Sequence, residues 1–158
     1  MVHALKYGGW RELADEMAAS MALQKLGPAI EAEIAAVVPV PLSRARLRER
    51  SFNQAELLAA SLAERRGWPL LAEVLVRARH TGRQARLAPD ARRSNVAGAF
   101  RVVAEKAEII ADAHLLLVDD VLTTGATVND CVRALCRAGA RAVSVVTYAR
   151  ARPGLSSG

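Results

Sequence analysis

The stretch that most constrains this 158-residue chain runs from Leu115 to Thr127: Leu-Leu-Leu-Val, the acids Asp119-Asp120, Val-Leu, then Thr123-Thr124-Gly125-Ala126-Thr127. The unbroken apolar run His114–Val118 has the pattern of a strand buried on both faces of a parallel sheet. Its carboxyl end delivers two acids, and in an open α/β sheet ligands bind at the carboxyl ends of the strands. The Thr123–Thr127 turn offers successive backbone N–H groups and three hydroxyls at the start of a helix expected over Ala126–Ala138, which makes a cradle for a phosphate. Gly125 is expected to let the backbone come close to that ligand. Adjacent acids beside a phosphate suit sugar hydroxyls, a metal ion or both.

Other phosphate-handling patterns fit less well. A P-loop needs Gly-x4-Gly-Lys-Ser/Thr, which does not occur. A receiver domain carries its acid pair near the N-terminus, whereas 38 residues follow Asp120 here. A haloacid-type phosphatase needs Asp-x-Asp, and Val121 stands two residues after Asp119.

The remaining pattern alternates strands and helices, which indicates an α/β domain with a mainly parallel sheet flanked by helices. Helices are expected over Trp10–Leu26, with Leu13, Met17, Met21 and Leu23 as its stripe, and over Phe52–Arg66, with Ala55, Leu58, Ala59 and Leu62 inward. Ser51 or Asn53 caps the second and Gly67 ends it. Strands are expected at Ile34–Val40, Leu70–Val76, Phe100–Val103 and Ala142–Tyr148. His80–Gly98 has no apolar period and reads as a functional lid.

The charge is concentrated: residues 41–101 hold 13 Arg and 5 acids, against 9 basic and 11 acidic residues elsewhere. Such a stretch suits an anionic partner, either a phosphorylated small molecule or nucleic acid. Aromatic residues at 4% argue against a base-stacking RNA surface. Two cysteines are too few for a disulfide scaffold or a four-thiolate zinc site. Cys131 and Cys136 lie roughly 7.5 Å apart along the expected helix and on different faces, so they read as buried reduced thiols. His114 reads as structural. There is no apolar run of membrane-spanning length and no signal-peptide core, so the expected location is cytoplasmic, without membrane insertion.

The Leu115–Thr127 segment resembles the 5-phosphoribosyl 1-pyrophosphate (PRPP) motif of type I phosphoribosyltransferases. Further elements resemble the ComF competence-protein branch of that superfamily: Leu5-Lys6-Tyr7, Val38-Pro39-Val40-Pro41-Leu42, Arg48-Glu49-Arg50-Ser51-Phe52-Asn53-Gln54-Ala55, Thr81, Gln84, Leu87, and Arg92, Asn95, Val96, Gly98, Ala99, Phe100. The resemblance covers about Leu5 to Arg150. It implies a type I phosphoribosyltransferase fold over residues 1–152; the Gly/Ser-rich composition of 153–158 reads as a flexible tail. Relatives usually carry a Cys-rich zinc ribbon before the Lys-Tyr element; no Cys precedes Cys131 here, so either the ribbon is missing or the chain is part of a longer protein. Ser51 stands where relatives often have Gly.

The resemblance also implies roles. Asp119 and Asp120 hold the ribose 2′- and 3′-hydroxyls, and Thr123, Thr124, Gly125, Ala126 and Thr127 wrap the 5′-phosphate. Val40, Pro41, Leu42, Ser43 and Arg44 form the pyrophosphate loop, with Arg50 nearby. Arg83, Gln84 and Arg86, on the lid, face the departing pyrophosphate, which makes Asp119, Asp120 and Arg83 the catalytic candidates. Mg2+ is expected to bind through the pyrophosphate and ribose rather than through a protein cage. The acceptor hood is expected from the N-terminal helix and the residues after Thr147. Purine transferases place an acid shortly after the Asp-Asp pair; here Val121-Leu122 is apolar, so the acceptor is unknown. Three activities stay open: PRPP-consuming transfer, PRPP or nucleotide binding without turnover in DNA uptake, and single-stranded DNA binding. The expected partners are therefore PRPP or a related phosphorylated nucleotide, single-stranded DNA or DNA-uptake proteins, and a second copy in a homodimer.

Overall fold

The computed structural model describes residues 2–42, 47–48, 52–78 and 98–151, with side chains from residue 12 onward. In chain order the elements are α1 (Val2–Ala22), α2 (Pro28–Glu33), β1 (Ile34–Pro39), α3 (Gln54–Arg66), β2 (Leu75–Arg77), β3 (Phe100–Val102), a 3-10 turn (Ala104–Lys106), α4 (Ala107–Ile110), β4 (His114–Leu122), α5 (Ala126–Arg137) and β5 (Ala142–Arg150).

β4 is the central strand of a parallel sheet in the order β1-β4-β5, with Val38 opposite Leu117 and Leu117 opposite Val145. Leu115, Leu116, Leu117 and Val118 are each 0% exposed, so both faces of this strand are covered. Side chains alternate across a strand, and the core divides accordingly. Leu115 and Leu117 join Ala36 and Val38 beneath Val128, Cys131 and Leu135 of α5 and Leu75 and Phe100 of the β2–β3 ribbon. Leu116 and Val118 join Val37 beneath Ala14, Ala18 and Met21 of α1 and Leu58, Ala59, Leu62 and Ala63 of α3.

Several local expectations hold. Asn53 caps α3, its Oδ1 accepting the Ala55 N–H at 3.2 Å, and Gly67 closes that helix at φ 67°. His114 is buried and satisfied: Nε2 lies 2.9 Å from Ser144 Oγ and Nδ1 lies 3.3 Å from Glu33 Oε2. Glu33 also binds Arg141 at 3.1 Å, and that hydrogen bond, with the one to His114, holds its carboxyl below the usual range.

Four expectations are corrected. The first helix runs over Val2–Ala22 rather than Trp10–Leu26, and Leu13 and Leu23 are exposed. Its contact with α3 is made by Ala14 and Ala18, small residues that let the two helices approach closely, and by buried Met21. The run Leu70–Val76 is not one strand. Leu70 makes a parallel bridge to Val37, the chain turns at Ala72-Glu73, and β2 pairs antiparallel with β3. Exposed Glu73 at that turn binds Lys106 at 2.8 Å. β4 continues past Val118 to Leu122, because β5 supplies hydrogen-bonding partners up to Arg150. Cys131 is buried, as expected, but Cys136 is exposed on the outer face of α5.

Candidate functional site

Because β4 continues through the acid pair, Asp119 keeps the orientation of Leu115 and Leu117, toward α5, and Asp120 that of Leu116 and Val118, toward α1 and α3. The two carboxylates straddle the strand. Each also accepts a hydrogen bond from the next residue's backbone: Asp120 N–H to Asp119 Oδ1 at 2.9 Å and Val121 N–H to Asp120 Oδ1 at 2.8 Å. These bonds fix both carboxylates at the strand end. Burial pushes the Asp119 carboxyl up from its ordinary 3.8 to about 6, and the neighbouring Asp120 charge adds to the effect. Asp119 in turn contributes to raising the Cys131 thiol, after burial, the main cause. Cys131 is therefore an inert thiol at neutral pH.

The turn after β4 leads into α5 through Gly125, at φ 79°. A Cβ there would meet only ordinary contacts, Leu122 Cδ1 at 3.8 Å and Asn129 Nδ2 at 4.0 Å. Glycine is thus required by the left-handed backbone rather than by close packing within the chain, which refines the expectation of close approach. The cap residue Gly125 has no side chain and the first turn of α5 holds no acid; Thr124 Oγ1 accepts the Ala126 N–H at 3.4 Å. An acid-free helix start is receptive to an anion.

β1 ends beside β4, as expected, and the ladder extends one step beyond it: the Val40 N–H donates to Val118 O at 2.9 Å. Asn53 then fixes the turn that follows, its Nδ2 donating to Val40 O at 3.0 Å while its Oδ1 caps α3. These elements enclose a cavity of about 350 Å3 lined by Val40, Pro41 and Leu42 from this turn, Asp119, Asp120, Val121, Thr123 and Thr127 from β4 and its turn, Asn53, Gln54 and Ala55 from α3, and Arg77 from β2.

Seven of the expected site residues thus line one cavity: Val40, Pro41, Leu42, Asp119, Asp120, Thr123 and Thr127. Thr124, Gly125 and Ala126 do not line it; they lie between Thr123 and Thr127, in the turn and at the start of α5. Ser43, Arg44, Arg50, Arg83, Gln84 and Arg86 lie outside the described residues. Asn53 was legible as a cap but not as a wall of the cavity, a role that arises because the α3 cap abuts the end of β1. Arg77 carried no signal in the sequence; its guanidinium lies 5.4 Å from the Phe100 ring centroid, which places the cation beside the cavity. On α5, buried Asp130 accepts the N–H groups of Gly98 and Ala99 at 3.0 and 2.9 Å and so joins the start of β3 to the helix that follows the β4 turn. Among the described residues, no group of three or more His, Cys, Asp or Glu is arranged to hold a metal ion, and no helix is long and apolar enough to cross a membrane.

A parallel sheet carrying an acid pair and a helix-start turn at its carboxyl edge, with an antiparallel ribbon above, is the type I phosphoribosyltransferase fold. The chain belongs to the phosphoribosyl transferase domain family, whose match spans residues 19–155, and within it to the ComF branch. It is 37% identical over 116 residues to competence protein F of Haemophilus influenzae, covering 73% of this chain and 50% of that protein. It is 34% identical over 151 residues to the DNA utilization protein YhgH of Salmonella typhi, covering 92% of this chain and 63% of that protein. The chain therefore spans between half and two thirds of the length of these curated relatives. Among solved structures, the glutamine PRPP amidotransferase of B. subtilis, complexed with ADP and GMP, matches with a TM-score of 0.59 at 21% identity, over 87% of this chain and 26% of that one. That likeness concerns the fold alone.

Proposed function

We propose that this chain binds PRPP and supports transfer of its phosphoribosyl group, in a protein that serves DNA uptake or use. The observation that carries the reading is the single cavity shared by the Val40–Leu42 turn, the Asp119–Asp120 pair and the Thr123–Thr127 turn. The 5′-phosphate sits on the amides and hydroxyls of the Thr123–Thr127 turn, and the ribose hydroxyls donate to Asp119 and Asp120. The pyrophosphate lies against the Val40–Leu42 turn with Arg77 beside it. The DNA context rests on the names of the relatives.

Mg2+ fits this arrangement as a companion of the substrate. The ion is commonly held by one or two carboxylates together with substrate phosphates, and the described residues offer the Asp119–Asp120 pair without a larger cage. When bound, the ion neutralises charge on the pyrophosphate. The chain's own residues hold the ribose hydroxyls and the 5′-phosphate, which positions C1′ for an incoming nucleophile to approach as the pyrophosphate departs.

Calorimetric titration of PRPP with Mg2+ tests the reading. Binding is expected, and Thr124→Val, which removes a hydroxyl from the phosphate turn, is expected to weaken it about tenfold. Equal affinity in both proteins would place the phosphate elsewhere.

A further inference from the structure

A second cavity adjoins the first. It measures about 170 Å3 and lies between α1, α3 and the end of β4, lined by Ala14, Met17, Phe52, Leu57 and Leu58 with Gln54, Asp120 and Val121 at the border. Gln54, Asp120 and Val121 line both cavities, so the apolar chamber opens onto the ribose position through Asp120. Its walls reflect the way β4 is built. The strand turns Asp120 toward the α1–α3 side, and Asp120 is the one charged residue among the described residues of this chamber.

From this geometry, and resting on the PRPP reading above, we infer that the chamber is the acceptor subsite and that it selects an uncharged, flat, apolar-bodied nitrogen nucleophile, an aromatic amine or a benzo-fused azole. Three physical constraints favour that class. A base with carbonyls and ring nitrogens around its whole edge would bury them against Met17, Leu57 and Leu58 without hydrogen-bond partners, the kind of mismatch that polar sites reject strongly. An anionic acceptor would face the Asp120 carboxylate with no cation among the chamber's described walls. The Phe52 ring and the Met17 thioether suit an aromatic body, with its nitrogen-bearing edge at the border that Asp120 and Gln54 line.

In the reaction the nitrogen lone pair forms the C1′–N bond as the C1′–O bond breaks. The electron pair of that bond leaves with pyrophosphate, and one proton passes to water, from the substituted nitrogen of an aromatic amine or from the other ring nitrogen of a benzo-fused azole. No further reactant is needed.

The test is pyrophosphate release from PRPP and Mg2+ in the presence of benzimidazole, aniline, hypoxanthine or orotate, alongside calorimetric PRPP affinity. Benzimidazole or aniline is expected to raise release at least tenfold above either hypoxanthine or orotate. Met17→Trp, which fills the chamber, is expected to abolish that stimulation while PRPP affinity stays within twofold. Leu57→Phe serves as a second filling variant, and a thermal melt checks that each variant is folded. No PRPP binding by the wild-type chain would overturn the parent reading and this one with it. PRPP binding accompanied by preference for orotate or hypoxanthine, by stimulation from none of the four, or by stimulation indifferent to both filling variants would overturn the acceptor assignment alone.

Discussion

Asn53 joins two parts of the site, and its removal has a calculable cost. Its Oδ1 caps α3 through the Ala55 N–H, and its Nδ2 satisfies the carbonyl of buried Val40 at the turn after β1. Losing a helix cap costs about 1 kcal/mol, and leaving a buried carbonyl unpaired costs about 1–3 kcal/mol. Asn53→Ala should therefore destabilise the chain by about 2–4 kcal/mol. Asn53→Ser separates the two contributions: the serine hydroxyl still caps α3 but is too short to reach Val40, so only the carbonyl's share is lost. Urea denaturation reads both variants, with a lower midpoint and an unchanged slope expected. Both should also bind inorganic pyrophosphate more weakly, because the Val40–Leu42 turn loses its tether. If Asn53→Ala costs less than about 0.5 kcal/mol, or if Asn53→Ser matches the wild type in stability and pyrophosphate affinity, the tether does not do what is claimed.

Asp119 supplies a pH prediction. Its carboxyl is raised from 3.8 to about 6 on folding, so across that window the folded chain keeps a proton that the unfolded chain has lost, and stability falls as pH rises through it. Asp119→Asn should remove this slope and stabilise the chain at pH 7.5 by about 1–2 kcal/mol, allowing for screening at a partly exposed site, while weakening PRPP binding. Thermal melts between pH 4 and 8 (~0.5-unit steps suffice) check the slope, and a variant less stable than wild type at pH 7.5 would contradict the stated strain. Asp130→Ala should cost about 2–4 kcal/mol by freeing the Gly98 and Ala99 N–H groups, seen as a lower melting temperature and faster hydrogen exchange at Ala99. A thiol reagent should label Cys136 in the native chain and both cysteines only in urea, counted by mass spectrometry; rapid native labelling of Cys131 would contradict its burial.

The layers and the heart of the site were legible because burial leaves a strong pattern. Leu115–Val118 could only be a covered strand, and Thr123–Thr127 only a turn into a helix. The misses have equally physical causes. Asp119–Leu122 looks like a loop by composition, yet it stays in the ladder because Thr147 to Arg150 pair alongside it. Leu70–Val76 has a strand's composition, but its two ends serve different partners, Val37 and β3. α1 packs through Ala14 and Ala18, so its larger Leu13 pointed to the wrong stripe. Arg77 and the apolar chamber arise only when separate elements meet, and no local pattern in one segment encodes such a meeting.

The central claim, that PRPP is gripped at both of its phosphate ends by one cavity, is tested most directly by 31P NMR of PRPP with Mg2+ titrated with the chain. The 5′-phosphate and pyrophosphate resonances should both shift or broaden in the wild type. Thr124→Val should weaken the response of the 5′-phosphate first, and Asn53→Ser that of the pyrophosphate. Resonances unmoved by stoichiometric protein, or a response unaltered by both substitutions, would contradict the account.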